Sequence, residues 1–305
     1  MFTRCWGRSG WIGCSAAICW ISKPPHLSIT VSSRDLSGLP PLRDVIAAHG
    51  LQAKKSLGQN FLLDQNITDK IVRLCGGLNG LNVIEIGPGP GGLTRSLLRS
   101  EAAKVIAIEA DPRAVAALEG LQDAAAGDLS ILRGDALEAD LPRLCEAPRA
   151  IIANLPYNIA TPLLLRWLRD LRANREIYSF LALMFQKEVA QRICAGPGGK
   201  DYGRLGIISQ WLCDVKVLVE LPPSVFTPPP KVRSAVVRLV PKNLQGRQPD
   251  FSAMERVTAL AFQGRRKMLR GSLKDYAQHF ERLGIDPHSR AEELAVDDYV
   301  RLALG

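Results

Sequence analysis

The chain has 305 residues, of which 47% are hydrophobic and 23% are charged, and these fractions are ordinary for a globular protein with a sizeable core. Lysine and arginine number 39 against 30 aspartates and glutamates. The net charge of +9 favours a polyanionic partner or a membrane surface, or it reflects a generally basic, solubilising exterior. No run of about 18 apolar residues is present, so no membrane span is predicted.

The use of cysteine and histidine argues against several kinds of site. The seven cysteines form no C-x-x-C pair, which disfavours disulfides and zinc and fits a reducing cytoplasm. The four histidines lie far from the motifs described below, so neither a histidine base nor a metal site is expected.

Residues 1 to about 30 differ in kind from the rest of the chain. Three of the five tryptophans lie there among cysteine, serine and glycine, without helical or strand periodicity. An apolar run after two arginines is similar to a signal peptide, but no convincing small-residue cleavage site follows it. We therefore expect residues 1–38 to be an extension that is disordered or is not native, with initiation near Val31.

A helical pattern and an unusual polar pair open the ordered part of the sequence. From Leu39 onward, apolar residues at helical spacing predict a helix that Gly50 can end. The polar pair Gln59-Asn60 then precedes Phe61, and packing does not explain it. The pair forms either a turn or a lid that closes over a ligand.

A glycine-rich loop follows the first predicted strand of a sheet. Leu81–Ile86 has the pattern of a buried strand, and Gly87-Pro-Gly-Pro-Gly-Gly92 leads from it directly into a helix. Glycines let the backbone approach a ligand, and the amides at a helix N-terminus attract a carboxylate or a phosphate. Such a loop indicates a ligand only weakly when it stands alone.

Three further predicted strands also end in a polar side chain. The second strand is followed by Glu109, which can accept both hydroxyls of a ribose, and the third ends in Asp135, which can accept an adenine amino group. The fourth, a run from Ala150, stops at Asn154. Each carboxylate alone can equally be a helix cap or a solvated side chain. Because ligands bind at the carboxyl ends of parallel strands, the glycine loop and these three polar ends, at four strand ends in succession, predict one shared cleft.

The segment Asn154-Leu155-Pro156-Tyr157 is the predicted centre of the chemistry. Proline fixes the turn, so the Asn154 amide and the Leu155 carbonyl can point together beyond the strand, with the Tyr157 ring beside them. Two acceptors and a flat ring suit the amino group and the face of an adenine. The alternative is an ordinary strand-to-helix turn, which the tetrapeptide by itself does not exclude.

The alternation of helices and strands continues to a predicted antiparallel hairpin. A helix from Pro162, a strand from Phe180 and a helix from Lys187 extend the pattern. Two β-rich segments then flank a proline-rich link that is too short for a crossover helix. Its prolines can hold Phe226 over the cleft, or Phe226 can be a core residue.

Past Pro241 the sequence becomes helical and contains a basic segment. At least three of its cations are predicted to share one helical stretch that leaves Met268 and Leu269 for the core. These cations are Arg265, Arg266, Lys267, Arg270 and Lys274. The stretch is either a solvated face or, given the net charge and the adenine-shaped site, a contact with nucleic acid.

Together the motifs resemble the small-subunit ribosomal RNA adenine dimethyltransferases of the KsgA/RsmA type, from about residue 40 to the end of the chain. They are highly specific in combination, whereas residues 1 to about 30 have no counterpart in the family. The stretches that carry the resemblance are Lys55–Leu62, Glu85–Thr94, Asn154–Ile159, Val225–Ser234 and Ala261–Lys267.

The resemblance implies an α/β fold and a cofactor. Residues 39–242 would form the Rossmann-like sheet of a class I S-adenosylmethionine-dependent methyltransferase, mostly parallel with an antiparallel last strand. Residues 243–305 would form a small C-terminal all-α domain that binds RNA. The target adenine would lie between Tyr157 and Phe226. The implied contacts of S-adenosylmethionine are Asn60, Leu62, Gly87, Gly89, Glu109, Asp135 and Asn154.

The implied reaction adds two methyl groups to N6 of each of two adjacent adenosines near the 3′ end of small-subunit rRNA, during ribosome assembly. The expected partner is a pre-assembled small ribosomal subunit, and we expect a monomer in the cytoplasm. An adenine amine is a poor nucleophile because its lone pair is delocalised into the ring. In-line positioning and electrostatics are therefore expected to carry the reaction without a strong base.

Three other functions remain open at this point. A large-subunit rRNA adenine dimethyltransferase of the macrolide-resistance type shares the cleft, but its glycine loop and the residue equivalent to Leu155 typically differ. A nicotinamide-dependent dehydrogenase would share the glycine loop and Glu109 but has no use for the segment from Asn154 to Tyr157. A non-catalytic assembly or transcription factor on the same fold would be expected to lack Asn154 or Glu109.

Overall fold

The structure is a computed structural model, and it describes residues 34–51, 59–264 and 266–305. The expectation of an N-terminal extension falls mainly on residues 1–33, which lie outside the described residues, as do residues 52–58 and the basic residue Arg265. The described residues belong to one compact unit. None of the helices in the described part of the chain is long and apolar enough to cross a membrane.

A mixed sheet forms the centre of the fold. Its spatial order is β4-β3-β2-β5-β6-β9-β7, while β1 pairs with β8 in a separate two-stranded sheet. In chain order the strands are β1 (Phe61–Leu62), β2 (Asn82–Ile86), β3 (Lys104–Glu109), β4 (Leu129–Arg133), β5 (Arg149–Ala153), β6 (Phe180–Gln186), β7 (Cys213–Leu221), β8 (Phe226–Thr227) and β9 (Ser234–Pro241).

The direction of the strands confirms the predicted fold class. β4, β3, β2, β5 and β6 are mutually parallel, and β9 is antiparallel to both β6 and β7. All five residues of β5 are buried, as expected for a parallel strand that is covered on both faces. The carboxyl ends of the five parallel strands therefore meet at one edge of the sheet.

Helices cover both faces of this sheet. In chain order they are α1 (Leu42–Ala48), α2 (Gln65–Cys75), α3 (Gly92–Leu98), α4 (Pro112–Ala124), α5 (Tyr157–Ala173), α6 (Lys187–Cys194), α7 (Arg204–Leu212), α8 (Phe251–Ala261), α9 (Leu269–Ser272), α10 (Ala277–Leu283) and α11 (Val296–Leu304). Helix α4 begins with Asp111 accepting a hydrogen bond from the Arg113 amide at 3.0 Å and with Pro112 in the first turn.

Alternate residues of the buried strands enter two different hydrophobic cores, one on each face. Val83 of β2 belongs to the core that contains Leu97 of α3, and Ile84 belongs to the core that contains Trp167 of α5. The second core also includes Tyr299 of α11, so the C-terminal helices pack on the same face as α5. A domain boundary after residue 242 stays a prediction.

Four elements differ from what the sequence predicts. Helix α5 begins at Tyr157 rather than at Pro162, because the turn at Pro156 already directs the chain into the helix. Helix α7 has no counterpart in the prediction, since it is buried on most of its faces and shows no amphipathic stripe. Strands β1 and β8 have two residues each, which is too short for a recognisable period.

Arg34 attaches the first described residues to the sheet. Its Nε lies 2.7 Å from Asp128 Oδ2, and its two terminal nitrogens donate to the Leu98 carbonyl at 2.8 Å and the Ala102 carbonyl at 2.7 Å. Leu98 ends α3, where carbonyls without helical partners favour a nearby cation. Arg34, which is predicted to belong to the extension, is thus bonded to the end of α3 and to the loops that precede β3 and β4.

We expect Arg34→Ala to lower the free energy of unfolding by about 2–3 kcal/mol, because partly buried acceptors lose a charged donor. Urea unfolding measures the change. As a control, Arg143→Ala removes an ion pair whose arginine side chain is 85% exposed, and it should change the free energy by less than about 0.5 kcal/mol. Equal effects of the two substitutions would contradict the attachment at Arg34.

Candidate active site

A cavity of about 400 Å³ opens at the carboxyl edge of the sheet. Loops that follow β2, β3, β4 and β5 line it, together with residues just before β1. The structure therefore brings the four predicted strand ends together, whereas Leu62 and Phe226 are not part of the lining. The predicted site residues in the lining are Asn60, Gly87, Gly89, Glu109, Asp135, Asn154, Leu155 and Tyr157.

The loop between β2 and α3 has a backbone that favours glycine. Gly87, Gly89 and Gly91 have φ angles of +66°, +56° and +90°. A Cβ atom on Gly92 would lie 2.2 Å from the Leu62 carbonyl oxygen. The loop is therefore shaped both by its own turn and by the backbone of β1, which packs directly on it.

Glu109 ends β3 with its carboxylate turned toward this loop. Oε2 accepts a hydrogen bond from the Gly89 amide at 3.1 Å, and Oε1 accepts one from the Asp111 amide at 2.9 Å. Burial raises the pKa of Glu109 above its usual value, and the backbone hydrogen bonds act in the opposite direction. Since a carboxylate oxygen can accept more than one hydrogen bond, Glu109 keeps acceptor capacity for ribose hydroxyls.

Asn154 stands at the carboxyl end of β5, beside the residues that precede β1. Its Nδ2 donates to the Asn60 carbonyl oxygen at 3.0 Å. Because the amide nitrogen is engaged in this way, the side chain can offer Oδ1 as an acceptor to the cavity that it lines. Asn154 therefore lies in a strand-to-helix turn and can also offer an acceptor to the cavity, so the two interpretations of this segment are compatible.

Asp135 lines the cavity and also closes the turn that follows β4. Its Oδ1 accepts a hydrogen bond from the Leu137 amide at 2.8 Å. Asp135 therefore closes a turn and does not cap a helix, and it also lines the cavity.

Tyr157 is held by a residue that sequence reasoning passed over. Its hydroxyl lies 2.7 Å from the Oγ of Ser234, the first residue of β9, and the Ser234 side chain is buried. Burial raises the pKa of the Tyr157 phenol, so the hydroxyl stays protonated and can share this hydrogen bond. A serine at the start of a largely apolar strand was the sequence signal for this contact.

Phe226 lies in a hydrophobic core and not over the cavity. Its side chain is 3% exposed, and the pairing of β8 with β1 sets it opposite Leu62, which is also buried. The sequence left two positions open for the Phe226 ring, and the structure places the ring in the core. The proline-rich link therefore does not hold the ring over the cleft. The reason is that the two-stranded sheet buries the large apolar area of the ring.

Glu85 of β2 is a second buried carboxyl near the cavity, and the sequence analysis did not single it out. Burial raises the pKa of Glu85 to about 8, and the negative charge of Glu109 acts in the same direction. Its Oε2 has no hydrogen-bond partner among the described residues. Glu85, Gly87 and Asn154 border a space of about 20 Å³ beside the main cavity.

The basic segment does not form one continuous helix. Arg266 and Lys267 lie in a turn before α9, which contains Arg270, and all three residues are exposed. Met268 is 42% exposed, so only Leu269 enters the core. The prediction of a single helical stretch is wrong for the described residues, because glycines within and beside the segment disfavour a long helix.

Comparison with known proteins identifies the family. The model of the family described as ribosomal RNA adenine dimethylase matches residues 50–304. The chain belongs to this family. A relative in Rhodospirillum rubrum named ribosomal RNA small subunit methyltransferase A is 52% identical, over 87% of this chain and 92% of its own length. A relative of the same name in Cereibacter sphaeroides is 53% identical, over 88% of this chain and 97% of its own length.

Solved structures agree with the family's fold. A dimethyladenosine transferase from Plasmodium falciparum superimposes with a TM-score of 0.67 at 27% identity, covering 78% of this chain and 94% of that one. The 23S rRNA methyltransferase ErmE has a TM-score of 0.60 at 24% identity, covering 80% and 98%, and this likeness shows the fold alone. As a member of the adenine dimethylase family, the chain is a methyltransferase that uses S-adenosylmethionine.

The residues around the cavity fit this cofactor. Gly87 and Gly89 line the cavity without side chains, so a bound molecule can approach the backbone of the loop. A Cβ on Gly89 would lie 2.8 Å from the Phe61 ring. Glu85 offers a buried oxygen that lacks a partner in the described structure, and Glu109 offers a carboxylate. These acceptors suit the positively charged and hydroxyl-bearing parts of S-adenosylmethionine.

We expect Glu109→Gln to weaken the binding of S-adenosylmethionine by about 1–3 kcal/mol, because a charged acceptor is lost. Calorimetry measures the affinity for S-adenosylmethionine, and Glu138→Gln, at an exposed residue, is the control. The raised pKa of Glu109 adds a second signature: wild-type affinity should begin to fall on acidification at a pH above the ordinary value of 4.5. Equal affinity of variant and wild type would remove Glu109 from the site.

Glu85 should make the stability of the free protein depend on pH. Its pKa is about 8 in the fold against an ordinary value of 4.5, so the stability that neutral Glu85 contributes is fully present below about pH 4.5 and is lost as the pH rises through 8. Glu85→Gln, which stays neutral, should gain on the order of 3 kcal/mol relative to wild type between about pH 5 and pH 8. Urea unfolding at both pH values tests this, and a constant difference would mean that Glu85 does not titrate in this range.

Proposed function

We propose that this enzyme transfers methyl groups from S-adenosylmethionine to N6 of two adjacent adenosines near the 3′ end of small-subunit rRNA, two to each. The position of Asn154 carries the proposal, because its engaged amide nitrogen leaves a side-chain oxygen to orient an adenine amine at the edge of the cavity. The names of the close relatives support the small subunit as the source of the substrate.

The chain's own residues divide the cavity between cofactor and target. We assign the ribose of the cofactor to Glu109 and its adenine to Asp135, since both carboxylates follow neighbouring strands. The backbones of Gly87 and Gly89 would accommodate the methionine part, closed by the segment from Asn60 to Leu62. When bound, the cofactor supplies an electrophilic methyl group.

Asn154, Leu155 and Tyr157 act on the target base in this proposal. The Asn154 side-chain oxygen and the Leu155 carbonyl accept the two N6 hydrogens, which favours a pyramidal nitrogen whose lone pair points at the methyl group. The Tyr157 ring stacks on the base, fixed by its hydrogen bond to Ser234. The proton leaves to water after transfer, so positioning and electrostatics carry the catalysis.

In this proposal Phe226 has a supporting role and does not contact the target base. It is buried and paired with Leu62, and it thereby ties the proline-rich link to the strand that packs on the glycine loop. Stacking of Phe226 on the target adenine would require its buried ring to leave the hydrophobic core.

The proposed partner is a pre-assembled small ribosomal subunit, bound by a monomer in the cytoplasm. Arg266, Lys267 and Arg270 are exposed on the C-terminal helical region, and together with Arg265 they are proposed to contact rRNA phosphates. Recognition would depend on RNA shape and on a base turned out of its stack, because the described helical region is too small to read a long sequence.

We expect Asn154→Ala to keep the affinity for S-adenosylmethionine within about tenfold and to lower turnover by on the order of a hundredfold or more, as when one orienting polar group is lost. A methyl-transfer assay beside a cofactor titration separates the two effects. Normal turnover of the variant would show that Asn154 does not orient the amine.

Primer extension tests the substrate directly. Dimethylation at N6 blocks the Watson–Crick edge and stops reverse transcriptase, so modified adenosines can be mapped on unmethylated small subunits, large subunits and protein-free rRNA. We expect two adjacent stops near the 3′ end of the small-subunit rRNA, and only for assembled small subunits. Stops confined to the large subunit would favour the macrolide-resistance activity, and the absence of stops on every RNA would favour a non-catalytic factor.

A further inference from the structure

We propose a second RNA-contact surface beside the active site, which binds the phosphates next to the target adenosine. Its residues are Lys187, Lys231 and Arg233, and we call it the β9 rim because it surrounds the start of β9. The proposal rests on the proposed function, since it requires an RNA substrate in the cavity.

The sheet register brings the rim together at the carboxyl end of β6. Gln186, the last residue of β6, pairs with Ser234, the first residue of β9. The amide of Lys187 then donates to the carbonyl of Arg233 at 2.8 Å. Two cations from distant parts of the chain are therefore backbone neighbours at the edge of the sheet that carries the cavity.

One hydrogen bond connects the rim to the active site. Ser234, which directly follows Arg233, lies 2.7 Å from the hydroxyl of Tyr157, and Tyr157 lines the cavity. Consecutive Cα atoms are about 3.8 Å apart, so Arg233 stands within one residue of the contact that fixes the stacking ring. A nucleotide with its base on Tyr157 would have its backbone at the rim.

The charge of the rim suits a phosphate chain. Glu220 Oε2 lies 2.9 Å from Lys187 Nζ and 3.5 Å from Arg233 Nε, so one carboxylate is shared by two cations. Lys187, Arg233 and the exposed Lys231 carry three positive charges against the one negative charge of Glu220, a net charge of +2 for these four side chains. The shared ion pairs also restrict two long side chains before RNA binds, which lowers the entropic cost of binding.

The opposite end of the cavity has the opposite charge. Glu109, Asp111 and Asp135 line it after β3 and β4, at the far side of the sheet from β9. This polarity repels a polyanion from the proposed cofactor end and attracts it to the rim. The rim is also accessible, because the side chain of Arg233 is 51% exposed and the intervening Val232 is 43% exposed.

The test compares the rim with cations at the other edge of the sheet. The rim variant is Lys231→Gln with Arg233→Gln, and the control is Arg73→Gln with Lys104→Gln. Both control residues are exposed, and they lie near the amino ends of β2 and β3. Affinity for unmethylated small subunits is measured between 50 and 200 mM KCl, together with the affinity for S-adenosylmethionine and the melting temperature of each protein.

Two phosphate contacts predict a defined salt effect. Each contact contributes about 0.7–0.9 to the slope of log affinity against log salt, so over a fourfold rise in salt the wild type should lose about tenfold more affinity than the rim variant. The control should follow the wild type, and cofactor affinity should be the same in all three proteins. Glu220→Gln should act in the opposite direction, with about a threefold greater loss than wild type over the same range.

The outcomes separate this proposal from the function on which it rests. If wild-type enzyme methylates the small subunit but the rim variant keeps the wild-type salt slope, the rim is only a solvated face and the proposed function stands. If the rim and control variants lose equal affinity, the effect is one of general charge and the rim is again overturned. If wild-type enzyme neither binds nor methylates any RNA, both proposals fall. If the rim variant has a lower melting temperature than the wild type, the steeper salt slope expected of Glu220→Gln still tests whether the rim binds phosphates.

Discussion

The extended backbone of residues 60–62 is the constraint on which the active site depends. The Asn60 carbonyl accepts the amide of Asn154, the Leu62 carbonyl lies directly on Gly92, and Leu62 pairs with Phe226. One segment therefore contacts Asn154, which is proposed to orient the amine, and also the glycine loop and the proline-rich link. Methyl transfer needs such rigidity, because a displacement of about 1 Å from in-line geometry can cost two orders of magnitude in rate.

The buried carboxyls show that the free enzyme is not arranged for its own stability. Glu85 and Glu109 lie near each other at one end of the sheet, and burial raises the pKa of both. An uncharged cavity lining would cost less, since a buried carboxyl with an unsatisfied oxygen is unfavourable. A bound ligand with hydrogen-bond donors and positive charge would relieve this cost, so we expect binding of S-adenosylmethionine to stabilise the fold.

Helix α5 connects the chemistry to the C-terminal helices. Its first residue, Tyr157, lines the cavity, while Arg172 near its other end donates to the carbonyl of Pro249 at 2.8 Å. The guanidinium of Arg169 lies 4.7 Å from the centre of the Phe251 ring, at the start of α8. One helix therefore joins the cavity to the C-terminal region that carries the proposed RNA contacts.

The elements that depend on neighbouring residues were predictable from the amino-acid sequence. A strand, a glycine loop and a helix are recognisable from neighbouring residues, and the ends of parallel strands converge by topology alone, so the common location of Glu109 and Asn154 was predictable. The partners of these residues became visible only in the fold. Ser234 contacts Tyr157, although 77 residues separate them in the chain. Phe226 is buried and pairs with β1, a strand too short to be recognised from the sequence. Contacts between distant segments depend on how whole elements pack, and a periodic pattern specifies which face of an element is buried but not the atom that it meets.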